Sequence, residues 1–555
     1  MSLQLTYDHF YLYDELQGFL DEAVSKHPDL ASLESIGRSY EGRDIWCLTI
    51  TNRATGPAAE KPAMYIDANI HAGEVTGSQV AMHTIAHLLG GYGSDPEVTK
   101  LLDTRAFYIL PRINPDGAEL YLTTPTMLRS SVRPYPDEEE KDGLRAEDVN
   151  DDGMILQMRV RDPNGPWKVS DADPRLMLLR APDDDAGEFY RIYPEGRVYG
   201  EREVPLPVAP TKYGLDINRN FPANWTMGQS GAGPYPLSEP ETRAMVEFIV
   251  AHPNIGAIQA YHTTGGVIYR AFCNKPDDKM NPDDLRLFKL IGLRGEDITS
   301  YPCIPASHGG LGASRAGIFI DWIYEHRGII GYTTELWDMM GRAGADKKKE
   351  MRDKTPKDIE DDQLKLLKWQ DEHLDGQGFV PWTPFEHPDL GPVEIGGWVP
   401  KTVRQNAPPG SLLEDECDKN CRFTLKHAIT TPLLRVTTAA AEPAGPGVWR
   451  LRATVANQGY LATNLTAQGK STGVTKPVEV RLQLPDDAKL VLGKDRTDLG
   501  HLEGRSAVVF SPWGAGAQPK QEAELEWVIQ ATGGVVEIEA ACPTGGTHRA
   551  QVQLA

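Results

Sequence analysis

A histidine and a glutamate three residues apart, His71-Ala-Gly-Glu74, close an apolar run over residues 63–70. A neutral imidazole and a carboxylate at a strand-to-helix junction can converge on one point, and that donor pair suits Zn²⁺. With 14 His in the chain such a pair arises about once by chance, so it needs context. A second pair, His83 and His87, shares one helix face at i, i+4 spacing. Thr84 stands where a zincin motif has Glu, and Val75 stands where an inverzincin motif has its second His. His83 and His87 therefore read as helix-packing or partly exposed residues. Cys417 and Cys421 form C-x3-C in a helical segment with no second cysteine pair nearby, and they read as free thiols.

These groups need elements to position them. Apolar residues Leu12, Leu16, Phe19, Leu20 and Ala23 recur at helical spacing over 12–26. Strand-like runs cover 46–51, 63–70 and 106–110, with a helical stretch over 74–89 between the last two. Strand, helix, strand at this spacing predicts an α/β sheet, which later runs at 257–262 and 329–334 extend. Residues 134–210 interrupt it with an acidic, Pro- and Gly-rich stretch of poor periodicity, read as a surface insertion without its own core. The mixed-charge run 341–360 reads as a solvated helix or loop, and 363–374 is helical again. From about 431, alternating segments at 449–455, 478–484, 507–510, 524–529 and 535–540 predict an antiparallel β-sandwich. The expected division is a catalytic domain over 1–400 that carries the insertion, a linker or helical segment over 401–430, and the sandwich over 431–555.

Further motifs follow in chain order: Asn114-Pro-Asp-Gly117, Arg129, Asp216-Ile-Asn218-Arg219-Asn-Phe221, Ser238-Glu-Pro-Glu-Thr242, His262 ending Gln-Ala-Tyr-His, Ile320-Asp-Trp322, and Glu335 in Thr-Thr-Glu-Leu-Trp-Asp. Together with His71 and Glu74 they resemble the zinc carboxypeptidase family, the carboxypeptidase A-like metallopeptidases, over roughly residues 5–340. The resemblance implies a mixed eight-stranded sheet flanked by helices. It implies one Zn²⁺ on His71, Glu74 and His262, with Glu335 as general base and Arg129 stabilising the oxyanion. It assigns Asn218 and Arg219 to the substrate's terminal carboxylate, and Asp216 to the orientation of His71. Ile320 would lie at the base of the terminal side-chain pocket and favour apolar or aromatic residues. Two positions depart from the family: Gly73 replaces its usual Arg, and no Tyr precedes the Asp-Trp pair in HGGLGASRAGIFIDW.

The implied activity is removal of single residues from peptide C-termini. Hydrolysis of muropeptide, glutamyl or acyl-amino-acid bonds on the same fold is the alternative, and a binding protein with a vestigial site is a third reading. Asp148, Asn150, Asp152 and Gly153 resemble the start of a Ca²⁺ loop, but Arg159 stands where an acid belongs, so a polar turn is the favoured reading.

The 555 residues carry 57 Lys+Arg against 79 Asp+Glu, a net charge of −22, which argues against a general nucleic-acid partner. Six Cys are too few for a disulfide scaffold. No apolar window reaches the ~18 residues of a membrane span, so no membrane partner is expected. No signal peptide is visible. As written the chain reads as cytoplasmic, and a secreted protein without its leader would look the same. The insertion concentrates acidic charge, whereas the implied cleft gathers Arg129, Arg219 and a metal. A locally cationic pocket suits a substrate ending in a carboxylate.

Overall fold

The computed structural model describes residues 3–201, 203, 205–308, 315–345, 353–401, 404–508 and 518–554. A mixed eight-stranded sheet forms its centre. In spatial order its strands are Ala31–Arg38, Asp44–Ile50, Ala106–Leu110, Ala63–Ala68, Ile255–Thr263, Ile330–Leu336, Val267–Arg270 and Cys303–Pro305. The four central strands, from Ala106–Leu110 to Ile330–Leu336, run parallel. They are buried on both faces, which explains why they read as continuous apolar runs.

Side-chain alternation divides the core in two. Met64, Ile66 and Ala68 face one cluster, packed by the helices Tyr13–Lys26 and Thr76–Gly91. Ala63 and Tyr65 face the other, with the helices Pro240–Ala251 and Phe319–Arg327. The helix Thr76–Gly91 follows the His71–Glu74 turn directly, so the placement of that turn depends on how the helix docks.

Two regions differ from the sequence expectation. The insertion does have a core. Its strands Gln157–Arg161, Trp167–Val169, Met177–Leu179 and Tyr190–Pro194 join the hairpin Phe379–His387 and Gly391–Trp398 in a six-stranded sheet. Leu144, Leu156, Met158, Leu206, Val393 and Ile395 are buried together beneath it. Val393 and Ile395 of this core come from some 200 positions later in the chain, so the segment alone has poor periodicity. The second difference is at 401–430, expected as a linker or helical segment. Ser411–Ile429 is a 19-residue helix whose Leu413, Cys417, Cys421, Leu425 and Ala428 belong to the main core beside the Thr76–Gly91 helix.

Two four-stranded antiparallel sheets between Leu434 and Leu554 share one apolar core and form a sandwich. Within the expected strand 507–510, Ala507 instead ends a single 3-10 turn, and 509–510 lie outside the described residues. The sandwich docks on the central domain through buried polar contacts. Asp284 accepts the backbone N–H groups of Ala467 (2.7 Å) and Gln468 (3.1 Å), and Thr466 Oγ1 donates to the Gly328 carbonyl at 2.6 Å.

Candidate active site

The site lies at the C-terminal ends of the parallel strands, where ligands of open α/β sheets bind. His262 is the next-to-last residue of its strand and pairs in register with Glu335 on the neighbouring parallel strand. Register partners on parallel strands project to the same face, so the fold brings these two side chains together. Ala68 pairs with Tyr261, and the chain leaves that strand into Asn69 in a left-handed conformation (φ 59°) before turning through His71. Asn69 Nδ2 donates to the carbonyls of His71 and Ala72, which ties the turn down.

His71 Nδ1 is 2.9 Å from Glu74 Oε1, His262 Nδ1 is 3.0 Å from Glu74 Oε2, and the two Nδ1 atoms are 3.1 Å apart. All three residues are buried, and Glu74 Oε2 has no well-formed hydrogen bond. Two imidazole nitrogens and a carboxylate converging without enough protons to satisfy them is a donor set that fits a divalent cation. His71 Nε2 meets Asp216 Oδ1 at 3.1 Å, the contact that orients a metal-binding imidazole.

Arg129 bridges the group from above, with Nη1 to Glu74 at 3.0 Å and Nε to Asp216 at 3.2 Å. Its side chain remains 47% exposed, so it can still reach a ligand. Its neighbour in structure is the metal turn itself, because Ala72 N–H donates to the Arg129 carbonyl. Burial pushes the Asp216 carboxyl up, but the charges of Arg129 and His71 outweigh it and hold Asp216 well below the ordinary carboxylate range. Burial lowers His262. Glu335 is pushed upward, first by burial and then by the charge of Glu74; His71, Arg129 and Arg315 oppose that. A dication beside Glu74 would relieve the second cause.

Asn218 and Arg219 sit on a single 3-10 turn capped by Asp216, whose Oδ1 accepts Asn218 N–H at 2.9 Å. Asn218 Oδ1 accepts Phe319 N–H at 2.9 Å, which leaves its amide N–H₂ as the free donor end. Arg219 approaches Asp216 only at 3.5 Å and donates to the Asn218 carbonyl at 2.8 Å, so its guanidinium retains donors for an anion. Ile320 is buried in the apolar cluster with Ile217, Phe221 and Trp322. It stands next to Phe319, and Ile70, the residue before His71, belongs to the same cluster.

The segment after the insertion contributes residues that the sequence did not single out. Asn406 Oδ1 caps the Thr76–Gly91 helix by accepting Thr76 N–H at 3.0 Å, and its Nδ2 donates to the Gly73 carbonyl at 2.7 Å. A Cβ at Gly73 would meet Tyr121 at 2.7 Å and Gln405 at 2.8 Å, which gives a steric reason for glycine where the family has Arg. Tyr269 and Arg315 also share the field of Glu335, and Arg315 feels Arg219. Nothing local marked Asn406, which lies 332 positions from Glu74. Tyr269 had one signal, its place seven residues past His262 on the same sheet. Residues 309–314 of the loop lacking the family's Tyr lie outside the described residues.

A cavity of about 670 Å³ adjoins the strand ends, bounded by Thr264, Gly265 and Trp337 on one side. Trp167, Trp382 and Trp398 of the insertion sheet line its other side.

The Asp148 loop closes on itself. Asp148 accepts the N–H groups of Asp152 (3.2 Å) and Gly153 (2.8 Å), and Asp152 accepts that of Met154 (2.8 Å). Among the described residues it is not one of the side-chain groups arranged to hold a metal, so the Ca²⁺ expectation at Asp148, Asn150 and Asp152 finds no support. The polar turn accounts for the loop.

The family model for zinc carboxypeptidases matches residues 16–352, and the chain belongs to that family. A model described as a domain of unknown function (DUF8731) matches residues 433–553. Carboxypeptidase A2 of Rattus norvegicus is 25% identical over 335 residues, 60% of this chain and 63% of its own length. A zinc carboxypeptidase of Saccharothrix mutabilis subsp. capreolus is 32% identical over 120 residues, 21% of this chain and 27% of its own. The chain thus spans less than two thirds of these relatives. Carboxypeptidase A from Helicoverpa armigera aligns structurally with a TM-score of 0.40 at 18% identity, covering 67% of this chain and 75% of that one.

Proposed function

We propose that the protein is a zinc-dependent carboxypeptidase that hydrolyses the terminal peptide bond of substrates with a free C-terminal carboxylate. The observation that carries this reading is the convergence of His71, Glu74 and His262 opposite Glu335, with a carboxylate-binding pair alongside. His71, Glu74 and His262 would hold Zn²⁺, which supplies a Lewis acid and a water acidified toward neutral pH.

The protein's own groups account for the remaining steps. The Asn218 amide, with its carbonyl end committed to Phe319, presents N–H donors in one orientation. The Arg219 guanidinium beside it matches a carboxylate in two parallel bonds. That anchor selects the chain end and places the last peptide bond beside Glu335. Glu335 takes a proton from the attacking water and returns it to the departing amine. Its raised proton affinity suits a group that must hold that proton between the two transfers. Arg129 carries a fixed positive charge to the carbonyl oxygen as it becomes anionic. Asp216 keeps His71 in one ring orientation and neutralises part of Arg129.

Cleavage of a peptide library read by mass spectrometry, with and without a chelator, tests the proposal. Chelator-sensitive loss of single C-terminal residues is expected, with amidated peptides resistant. Equal cleavage of amidated peptides would refute the exopeptidase reading. Turnover confined to muropeptide, glutamyl or acyl-amino-acid substrates would move the substrate class while leaving the site chemistry in place.

A further inference from the structure

A second group of metal-capable side chains lies away from the candidate active site. His83 and His87 stand one turn apart on the Thr76–Gly91 helix, with their rings nearly parallel (13°) and 6.3 Å between centroids. Cys421 faces them from the Ser411–Ile429 helix packed alongside. One nitrogen of each histidine and the Cys421 sulfur lie within 4.8 Å of one another. Around a tetrahedral zinc such atoms are roughly 3.3–3.8 Å apart, so binding requires the side chains to draw in by about 1 Å.

His83 carries the main indication. Its Nδ1 is held by the Tyr7 hydroxyl at 2.6 Å, while its Nε2 is buried and has no hydrogen-bond partner. A polar nitrogen left unsatisfied at a helix seam is unfavourable, and a ligand there would relieve it. An imidazole held at one nitrogen by a hydroxyl, with a thiol and a second imidazole beside it, has the form of a metal ligand with its outer hydrogen bond in place. Burial lowers His83 to about 4, so the ring is neutral and able to coordinate. Asp418 contributes a negative charge nearby that favours a cation.

We propose that His83, His87 and Cys421 form a second, non-catalytic site for a zinc-class divalent ion, with solvent as the fourth ligand. Two imidazoles and a thiolate select borderline-soft ions over Mg²⁺ or Ca²⁺. Burial keeps the Cys421 thiol protonated, up to about 12, so binding exchanges that proton for the metal and releases one H⁺ per ion. His83 is nine residues beyond Glu74, roughly 13 Å along the helix, too far to share one ion with the His71 group. A metal there would clamp the helix that follows Glu74 to the Ser411–Ile429 helix.

Metal content and cobalt spectra of the full-length protein test this. After growth in zinc-replete medium, two zinc ions per chain are expected in the wild type. Cys421→Ala and His87→Gln should each contain one. Co²⁺-loaded wild type should show a thiolate-to-cobalt charge-transfer band in the near ultraviolet, because the His71, Glu74 and His262 set contains no sulfur. The band should vanish in Cys421→Ala and persist in Cys417→Ala. One zinc per chain in the wild type without the band overturns the proposal. Loss of the band in Cys417→Ala instead overturns the ligand assignment, and bound copper in place of zinc overturns the choice of ion. Should Cys421→Ala fail to fold, His87→Gln decides alone, since the His87 ring is partly exposed.

Discussion

Two histidine pairs in this protein have similar donors and different surroundings. His71 and His262 come from a turn and a strand end, and four charged groups ring them: Arg129, Asp216, Arg219 and Glu335. His83 and His87 come from one helix and face Tyr7, Cys421 and the seam of a second helix. The first pair sits where strands end and the backbone opens to a ligand. The second sits midway along packed helices, where the backbone is fully bonded. The difference teaches that imidazoles alone do not make a catalytic centre. The reading proposed for the first pair rests on Glu335 and the fixed charges around it, whereas the charge beside His83 comes from Asp418.

Removing the proton acceptor should have the largest effect. Glu335→Gln is expected to lower kcat by roughly 10³-fold or more while zinc at the His71 group is retained. Near-normal turnover by that variant would erase the distinction between the two pairs. Arg129→Ala should cost on the order of 10²-fold in kcat, because a fixed cation acts mainly on the developing oxyanion. An effect confined to KM would instead make Arg129 a substrate-binding group.

The helix seam should respond to acid rather than to substrate. His427, buried on the Ser411–Ile429 helix, is lowered by burial from its usual value to about 3. Its folded form resists a proton that the unfolded chain accepts. The stability it contributes is therefore full above pH ~6.5 and is lost as pH falls toward 3, on the order of 5 kcal/mol. His427→Gln should flatten that part of the urea-unfolding profile against pH, and an unchanged slope would contradict the assignment.

Arg219→Ala should reduce kcat/KM roughly 10- to 100-fold for peptide acids and leave peptide amides nearly unaffected, as expected for one lost charged contact. A parallel loss on both substrates would return Arg219 to a structural ion pair. The smallest effect is expected from Asn406→Ala, about 1–2 kcal/mol of stability, because it removes a helix cap. Thermal unfolding measures it; a variant as stable as wild type would show that the turn at Gly73 holds without the cap.

Local chemistry carries its information within a few residues of chain. That is why Ala106–Leu110 and the strand that carries His262 were legible from apolar runs, and why the His71–Glu74 spacing pointed to a metal. The family motifs, in order, extended this to Asp216, Asn218, Arg219 and Glu335. The insertion was not legible, since part of its core is supplied by Val393 and Ile395. Neither was the inclusion of 411–429 in the main core, since its apolar face has meaning only against the Thr76–Gly91 helix.

By itself the sequence determined the family, the central strands and the residues capable of chemistry, because periodicity and motif spacing are local properties. Only the tertiary structure decided that Asn406 pins Gly73 and Thr76, that Gly73 has no room for a side chain, and that Cys421 faces His83 and His87. Those contacts join residues hundreds of positions apart. Which of them meet is set by how helices and sheets bury their apolar faces together, a global packing outcome that no short window of chain contains.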